Sequence, residues 1–349
     1  MPVNKAFGQQ VVIHRADLHN AIIDRALALP NVSLRENSPV TDVSFDPATV
    51  TLANGTIIQA DIVVGADGIK STIRSHLLED SSLKAIPTGD AAYRIMLPRE
   101  IMEKDPELKA LIDQPDATRW LGPSRHIIAY PVRNHQLYNV VLLHPDAQGS
   151  EESWTTKGSK QAMVDNYDGW DSKVRKLIDL VDDNEVLEWK LCLHRPLRTW
   201  TRGSVALIGD ACHPMLYVNP SRYFGILFAD LTSPYVAQGA AQAVEDAAAL
   251  GILLSNITSR AEIPLALSAY ERSRKQRAET VQQSGSENRI TLHLPDGPEQ
   301  IARDAQFLAS ASGENPDKWS DRRTQEFLWG WDAEKAALTA WEGMMCPSP

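Results

Sequence analysis

The run Asp61-Ile62-Val63-Val64-Gly65-Ala66-Asp67-Gly68-Ile69-Lys70-Ser71-Thr72-Ile73-Arg74 decides the fold class. Ile62 to Val64 are apolar without alternation, the pattern of a strand covered on both faces of a parallel sheet. Gly65 and Gly68 then permit a tight turn with close backbone approach, and the exposed amides of the helix start that follows suit a phosphate. An ordinary strand-to-helix turn looks the same, so this run alone leaves both readings open. A second run, Arg202 to Pro214 (RGSVALIGDACHP), repeats the design: a buried strand over Ser204–Ile208 ends on Gly209-Asp210. That places a carboxylate at the carboxyl edge of the sheet, where ligands of open α/β sheets bind. A third, Gln238 to Ala247 (QGAAQAVEDA), opens a helix whose positive end suits negative charge on a bound ring. The fold class is therefore α/β.

Outward from these runs, Leu18, Ile22, Ala26 and Leu29 recur at helical spacing within Val11–Leu29, and Pro30 stops the helix. Val32 to Val64 reads as a strand meander with a hairpin at Asn54-Gly55. Strand alternation returns from about Ala91 to Leu143 (Tyr93–Ile95, His126–Tyr130, Leu137–Leu143), which predicts a second, sheet-based domain. Glu151–Val186 reads as helical, and Trp120, Trp154, Trp170 and Trp189 are read as core. Beyond Gly239 the pattern predicts a small-residue helix to about Leu254 and an amphipathic one from Ile263 to about Gln283.

Composition narrows the function classes. The chain has 349 residues and a formal net charge of −10, which leaves no basic field for a nucleic acid backbone. Three cysteines, Cys192, Cys212 and Cys346, form no CxxC pair, so neither a disulfide framework nor a zinc site is expected, and a cytoplasmic, reducing location fits. No stretch reaches the roughly eighteen apolar residues of a membrane span, so a membrane partner is not expected.

GADGIKSTIR (65–74), GDACHPM (209–215) and QGAAQAVEDAAAL (238–250), in that order, resemble the paired signatures of the FAD-dependent aromatic-ring monooxygenases. His14-Arg15-Ala16-Asp17-Leu18-His19 is similar to their helix-start signature. Trp120–Pro123, Arg125–Arg133 and His293–Gly297 resemble the salicylate hydroxylase branch. The resemblance implies FAD as cofactor, NAD(P)H as co-substrate, molecular oxygen and a small phenolic or aromatic acid substrate. It also implies a division into a partial FAD-binding domain over 1–88, a substrate-binding sheet domain over 89–198, a return to the FAD-binding domain over 199–290 and a helical region over 291–349.

Two departures stand out. The family opens with a strand, a GxGxxG turn and a helix for the FAD diphosphate. Here the HR signature falls near Met1, so roughly a hundred residues are expected to be missing and apolar sheet surface to be exposed. The family also reads its GD and AQGA motifs without interruption, whereas Tyr217–Ser233 intervene here. A retained intron is one reading, since the codons for Tyr-Val, Ala-Asp and Thr-Ser can spell splice and branch signals. A true surface insertion is the other.

By resemblance, Arg15 faces the FAD pyrophosphate, while Asp67, Asp210, Pro214, Gly239 and Ala240 surround the remainder of the cofactor. His126 occupies the position of the active-site histidine and suits removal of a phenolic proton, although a strand histidine is commonly structural. Arg94, on an otherwise apolar strand, suits a substrate carboxylate or equally a surface salt bridge. Tyr130 lines the substrate pocket or merely half-buries its ring. The expectation is an FAD-dependent monooxygenase. The alternatives are a catalytically inactive remnant that binds a ligand and a chain complemented by a separate N-terminal partner.

Overall fold

The computed structural model describes residues 12–80, 86–146, 158–184, 186–214, 238–309, 315–318 and 320–346. The insertion at 217–233 and Trp154 lie outside them. Helix α1 (Arg15–Leu27) precedes strands β1 (Val40–Phe45), β2 (Ala48–Leu52), β3 (Ile57–Gln59) and β4 (Val63–Gly65), then α2 (Thr72–Leu78) and the long β5 (Ile86–Pro98). Next come α3 (Arg99–Met102), α4 (Pro106–Asp113), β6 (Thr118–Gly122), β7 (Arg125–Val132), β8 (Leu137–Pro145), α5 (Lys160–Asn166) and α6 (Ser172–Asp179). Strands β9 (Leu187–Leu193), β10 (Thr201–Arg202) and β11 (Val205–Leu207) lead to α7 (Gly239–Asn256), α8 (Ile263–Leu292), α9 (Pro298–Ala309), α10 (Arg322–Trp329) and α11 (Ala333–Met345). Among the described residues no helix is long and apolar enough to cross a membrane.

By their contacts the residues form two units. The first comprises Met1–Arg35, Gly89–Leu191 and Thr291–Ser310. Its sheet runs β6-β7-β8-β5-β9, with β6–β7, β7–β8 and β8–β5 antiparallel. The pleat sends alternate side chains to opposite faces. Tyr93, Ile95, Ile127, Ala129, Tyr138, Val140 and Leu142 therefore share one face, where they form a core with Leu108 and Ile112 of α4 and Val174 and Leu177 of α6. Both helices start on aspartate caps: Asp105 accepts from the amides of Glu107 and Leu108, and Asp171 from that of Lys173. Trp120 and Trp170 pack only at the rim of this core and Trp189 is half-buried, so the expectation of core tryptophans is corrected. Among the described residues the fully buried indole is that of Trp200 in the other unit, 1 % exposed.

The second unit comprises Glu36–Thr88, Cys192–Ile290 and Ala311–Pro349. It holds the meander β1-β2-β3 and a sheet β10-β11-β4, in which β11 and β4 run parallel. The hairpin expected at Asn54-Gly55 joins β2 to β3: Gly55 has φ +81° and the Asn54 side chain accepts from the amide of Thr56. Strands β4 and β11 pack through Val63 and Val205–Leu207 against Ile73 and Leu77 of α2, Leu250 and Leu253 of α7, and Leu267 and Tyr270 of α8. Among the described residues β4 is covered on one face only, against the reading of Ile62–Val64 as covered on both faces and in line with the expected exposure of apolar sheet surface. Among those residues it stands at the edge of its sheet, and Val64 is 38 % exposed. Helix α8 outruns its expected end at Gln283 despite Gly285, because tertiary contacts flank that point and the carbonyls of Thr291 and Leu292 accept from Arg303. Gln282 donates to the carbonyl of Pro214, and Asn288 donates to Asp317.

Candidate active site

The face of the first unit's sheet opposite its core carries polar side chains at matching heights. Register places Arg119, Ile128, Val141 and Arg94 in one row, with Tyr130, Asn139 and Met96 in the next. Leu121, His126, Leu143 and Ala92 form the third. His126, Tyr130 and Arg94 therefore look out from one surface although two separate strands supply them. The Arg94 guanidinium lies over the Trp189 ring, 4.7 Å from its centroid. Among the described residues no carboxylate pairs with Arg94, and its buried Nε has no partner, so the surface salt bridge weighed above is not what holds it. Burial lowers the affinity of Arg94 for its proton, a pull that Tyr130 opposes and the nearby charge of Arg15 reinforces. A planar guanidinium with a buried, unpartnered Nε has the geometry to take a carboxylate. Burial raises the Tyr130 phenol, while Arg94 and a hydrogen bond with Asn139 draw it back. Arg15 itself is exposed at the first position of α1, and α1 is tied to the sheet by Arg133, whose Nε donates to Asp17 at 2.7 Å.

His126 is 2 % exposed and is not solitary: its Nδ1 lies 2.8 Å from Nε2 of His293, just beyond the end of α8. Nothing in the His293–Gly297 motif itself points to this pairing.

In the second unit the two strand ends carry the glycine turns. Asp67 accepts from the Ser71 hydroxyl at 2.5 Å and from the amide of Ile73 at 3.1 Å, and Ser71 accepts from the amide of Arg74. The first donors of α2 are thus satisfied internally, so Asp67 and Ser71 shape this turn and the phosphate expected there has fewer open amides than the sequence suggests. Arg74 is buried beneath both turns, where it donates to the carbonyls of Ala211 and Ile69.

Gly209 has φ +58°, a conformation that suits glycine, and a Cβ there would meet that of Ala243 at 3.3 Å. The GD turn is therefore seated directly on α7. Its amide donates to Asp246 at 2.9 Å, and Asp246 also binds His213 Nε2 at 2.5 Å and Arg274 Nε at 2.9 Å. An ionised carboxylate only accepts, so His213 carries its proton on Nε2. Cys212, His213 and Asp246 place potential metal-ligating atoms within 4.8 Å of one another. Burial holds the Cys212 thiol well above its usual range, so it stays protonated, and Arg274 already supplies the countercharge. The cluster is a structural ion-pair network.

Above it, Asp210 is exposed at the carboxyl end of β11. Helix α7, 18 residues long, has no side-chain cap and no acidic residue in its first turn, so the amides of Gly239 and Ala240 present its positive end. Pro214 is buried beside this turn. An exposed carboxylate for hydroxyls and a helix end without a side-chain cap for negative charge fit a flavin dinucleotide.

The FAD binding domain family matches residues 7–221. The FAD-dependent monooxygenase atnJ of Arthrinium sp is 42% identical over 331 residues, 95% of this chain and 74% of that protein. The FAD-dependent monooxygenase ntnJ of Nectria sp is 43% identical over 334 residues, again 95% of this chain and 74% of that protein. This chain belongs to the FAD-dependent aromatic monooxygenases. A solved salicylate hydroxylase substrate complex shares the fold of this monooxygenase with a TM-score of 0.74 and 25% identity, over 94% of this chain and 75% of that one.

The monooxygenase thus carries its expected site residues in two groups. Arg94, His126, Tyr130 and Arg15 belong to the first unit, and Asp67, Asp210, Pro214, Gly239 and Ala240 to the second. Sequence reasoning missed the roles of His293, Asp246, Arg274 and Trp189. For Asp246 a signal existed: Gln242, Asp246, Ala249, Leu250 and Leu253 form one buried helical stripe, and a carboxylate on such a stripe calls for a cationic partner.

Proposed function

We propose that this monooxygenase hydroxylates a phenolic aromatic acid with NAD(P)H and molecular oxygen, in the manner of a salicylate hydroxylase. The observation that carries this reading is the single sheet face shared by His126, Tyr130 and Arg94. The planar fork of Arg94, stacked on Trp189, pairs with the substrate carboxylate and so fixes the ring's orientation. His126 takes the phenolic proton, because the phenolate is the more electron-rich ring. Tyr130 and Ile128 border the ring and limit the access of water. FAD, when bound, supplies the activation of oxygen with electrons from NAD(P)H. Toward it, Asp210 accepts from ribityl hydroxyls, Gly239 and Ala240 stabilise negative charge on the ring edge, Arg15 pairs with the pyrophosphate, and Asp67 and Pro214 shape the surrounding turns. The thiols of Cys212 and Cys346 go with a cytoplasmic location.

The test is the visible spectrum of the purified chain titrated with FAD, followed by NAD(P)H and oxygen consumption over a panel of hydroxybenzoates. A saturable flavin band and substrate-dependent formation of hydroxylated product are expected. A bound flavin with no product from any phenolic acid would overturn the substrate assignment, and a folded chain with no flavin band would overturn the assignment of activity to this chain.

A further inference from the structure

We propose that Arg133 is a positioning residue for Arg15: its guanidinium clamps Asp17, in the same helical turn as Arg15, and so ties α1 to the sheet that carries Tyr130 and His126. This inference rests on the reading of Arg15 as the partner of the FAD pyrophosphate. Among the described residues α1 gains no hold from packing. It buries none of its side chains, and Ile22 and Leu27 are 54 % and 44 % exposed. Its N-cap residue, His14, makes no side-chain capping bond. A helix of 13 residues is marginal on its own in water, so specific contacts have to fix it.

Among the described residues the side chains of α1 hydrogen-bond to the rest of the chain at one point. Arg133 donates from Nε to Oδ2 of Asp17 at 2.7 Å and from Nη2 to Oδ1 at 2.5 Å. Two parallel bonds between planar groups fix orientation as well as distance. The hydrogen bonds from Arg133 hold the Asp17 carboxyl below its usual range, against the small opposing effect of burial. Both side chains are partly open to solvent, so the pair owes its hold to this two-bond geometry and not to a low dielectric.

Arg133 is aimed by an unusual turn. Between the end of β7 at Val132 and the start of β8 at Leu137, Arg133, Asn134 and His135 are all left-handed, with φ 51°, 50° and 61°. The amide of Gln136 donates to the carbonyl of Arg133 at 3.1 Å, so Asn134 and His135 are the central pair of a turn whose usual solution is Asn-Gly. Residues with a Cβ are disfavoured there and persist where their surroundings fix them. The ring of His135 faces the carbonyl of Ile112 at 2.6 Å, and a carbonyl only accepts, so Nδ1 is the donor. Arg99 donates from Nη1 to the carbonyl of His135 at 3.3 Å and from its amide to that of Gln136 at 3.0 Å. A turn pinned from α3 and α4 presents Arg133 in one direction. Tyr130 lies three residues before Arg133 and Arg15 two before Asp17, so the clamp joins the strand of the substrate face to the helix that carries Arg15.

The first test needs neither cofactor nor turnover. Amide hydrogen exchange of the full chain, read by mass spectrometry, reports on α1 directly. Arg133→Gln and Asp17→Asn are each expected to raise exchange across Leu18–Leu27 by about twofold to fivefold, the range of a well-aligned exposed pair, while peptides from β5 to β8 stay unchanged. Exchanging the two charges, Asp17→Arg with Arg133→Asp, restores protection toward the wild-type level. Unchanged exchange of α1 in both single variants overturns the proposal. Titration with FAD then reads Arg15. Arg133→Gln should raise the Kd for FAD by about twofold to fivefold, and by no more than a trace in an Arg15→Gln background, because it acts through Arg15. An equal effect in the two backgrounds overturns the positioning role. If exchange responds as expected while FAD is not taken up, or is bound as well by Arg15→Gln as by the wild type, the clamp on α1 stands and the reading of Arg15 fails.

Discussion

Asp246 and His213 meet at 2.5 Å with both side chains sealed from solvent, and the same carboxylate binds Arg274 and the amide of Gly209. One buried charge therefore ties the GD turn, α7 and α8 together. Asp246→Asn removes the charge while keeping the shape, which leaves Arg274 with Glu245 as its remaining carboxylate. The variant is expected to lose about 3 kcal/mol of stability, the scale of breaking a buried pair from one side. Urea unfolding followed by tryptophan fluorescence checks this, and a change under about 0.5 kcal/mol would contradict the network's structural role.

Acid sensitivity follows from two groups in the second unit. Burial lowers His194 to about 4, helped by the charge of Arg74, which contacts its Nε2 at 3.0 Å. A histidine depressed in the folded state contributes stability above its unfolded value of about 6.5, and that contribution drains away as pH falls from there to about 4. For Asp246 burial alone would raise the carboxyl, yet His213, Arg274 and the Gly209 amide outweigh it and hold it below its usual range. Its contribution is lost at still lower pH, as the folded carboxylate protonates. Melting temperature against pH should therefore decline below about 6.5, and His194→Asn should flatten the upper part of that decline.

Gly65 is crowded by β11 on one side and α2 on the other. A Cβ there would lie 2.8 Å from Cδ2 of Leu207 and 3.0 Å from Cγ2 of Ile73, so Gly65→Ala must displace the packing of β11 or α2. A loss of about 1–3 kcal/mol is expected, measured by thermal unfolding. Gly68→Ala meets no neighbour within 4 Å but places alanine at φ +78°, so its cost is backbone strain of about 1 kcal/mol.

Arg94→Gln should raise KM for a hydroxylated benzoate by about tenfold to a hundredfold, because it removes a charge-assisted pair, while KM for the corresponding neutral phenol changes little. Steady-state oxygen consumption on the two substrates decides the matter. An equal effect on both would make Arg94 a packing residue on Trp189.

His126→Gln is expected to lower kcat for hydroxylation by about a hundredfold or more, the usual contribution of a positioned base, while circular dichroism stays native. Product quantified against NAD(P)H consumed separates loss of proton removal from loss of fold.

From the residues alone, the α/β class, the strands at Val63–Gly65 and Val205–Leu207, the hairpin at Asn54-Gly55 and the helix from Gly239 were legible. Each of them is written in a local pattern: an apolar run, a turn pair or a helix stripe. The site residues were legible as types, since Asp210, His126 and Arg94 stand out against apolar strands. Their relationships were not. Whether Arg94 meets a carboxylate, a solvent shell or Trp189 depends on how β5 pairs with its neighbours, and a shift of one residue would have turned it into the core.

Short-range signals also misjudged burial. Trp200 is sealed while Trp120, Trp170 and Trp189 are not, because burial belongs to the packed unit and not to the residue type. The sequence by itself determined which segments become strands and helices and which family the motifs resemble, because those depend on side-chain period and backbone preference over a few residues. Only the tertiary structure decided that His126 bonds His293, 167 positions away, that Asp246 anchors Gly209, and that three candidate site residues share one face. Contacts so distant along the chain are set by sheet register and by closing long loops around a core, and no local pattern encodes either.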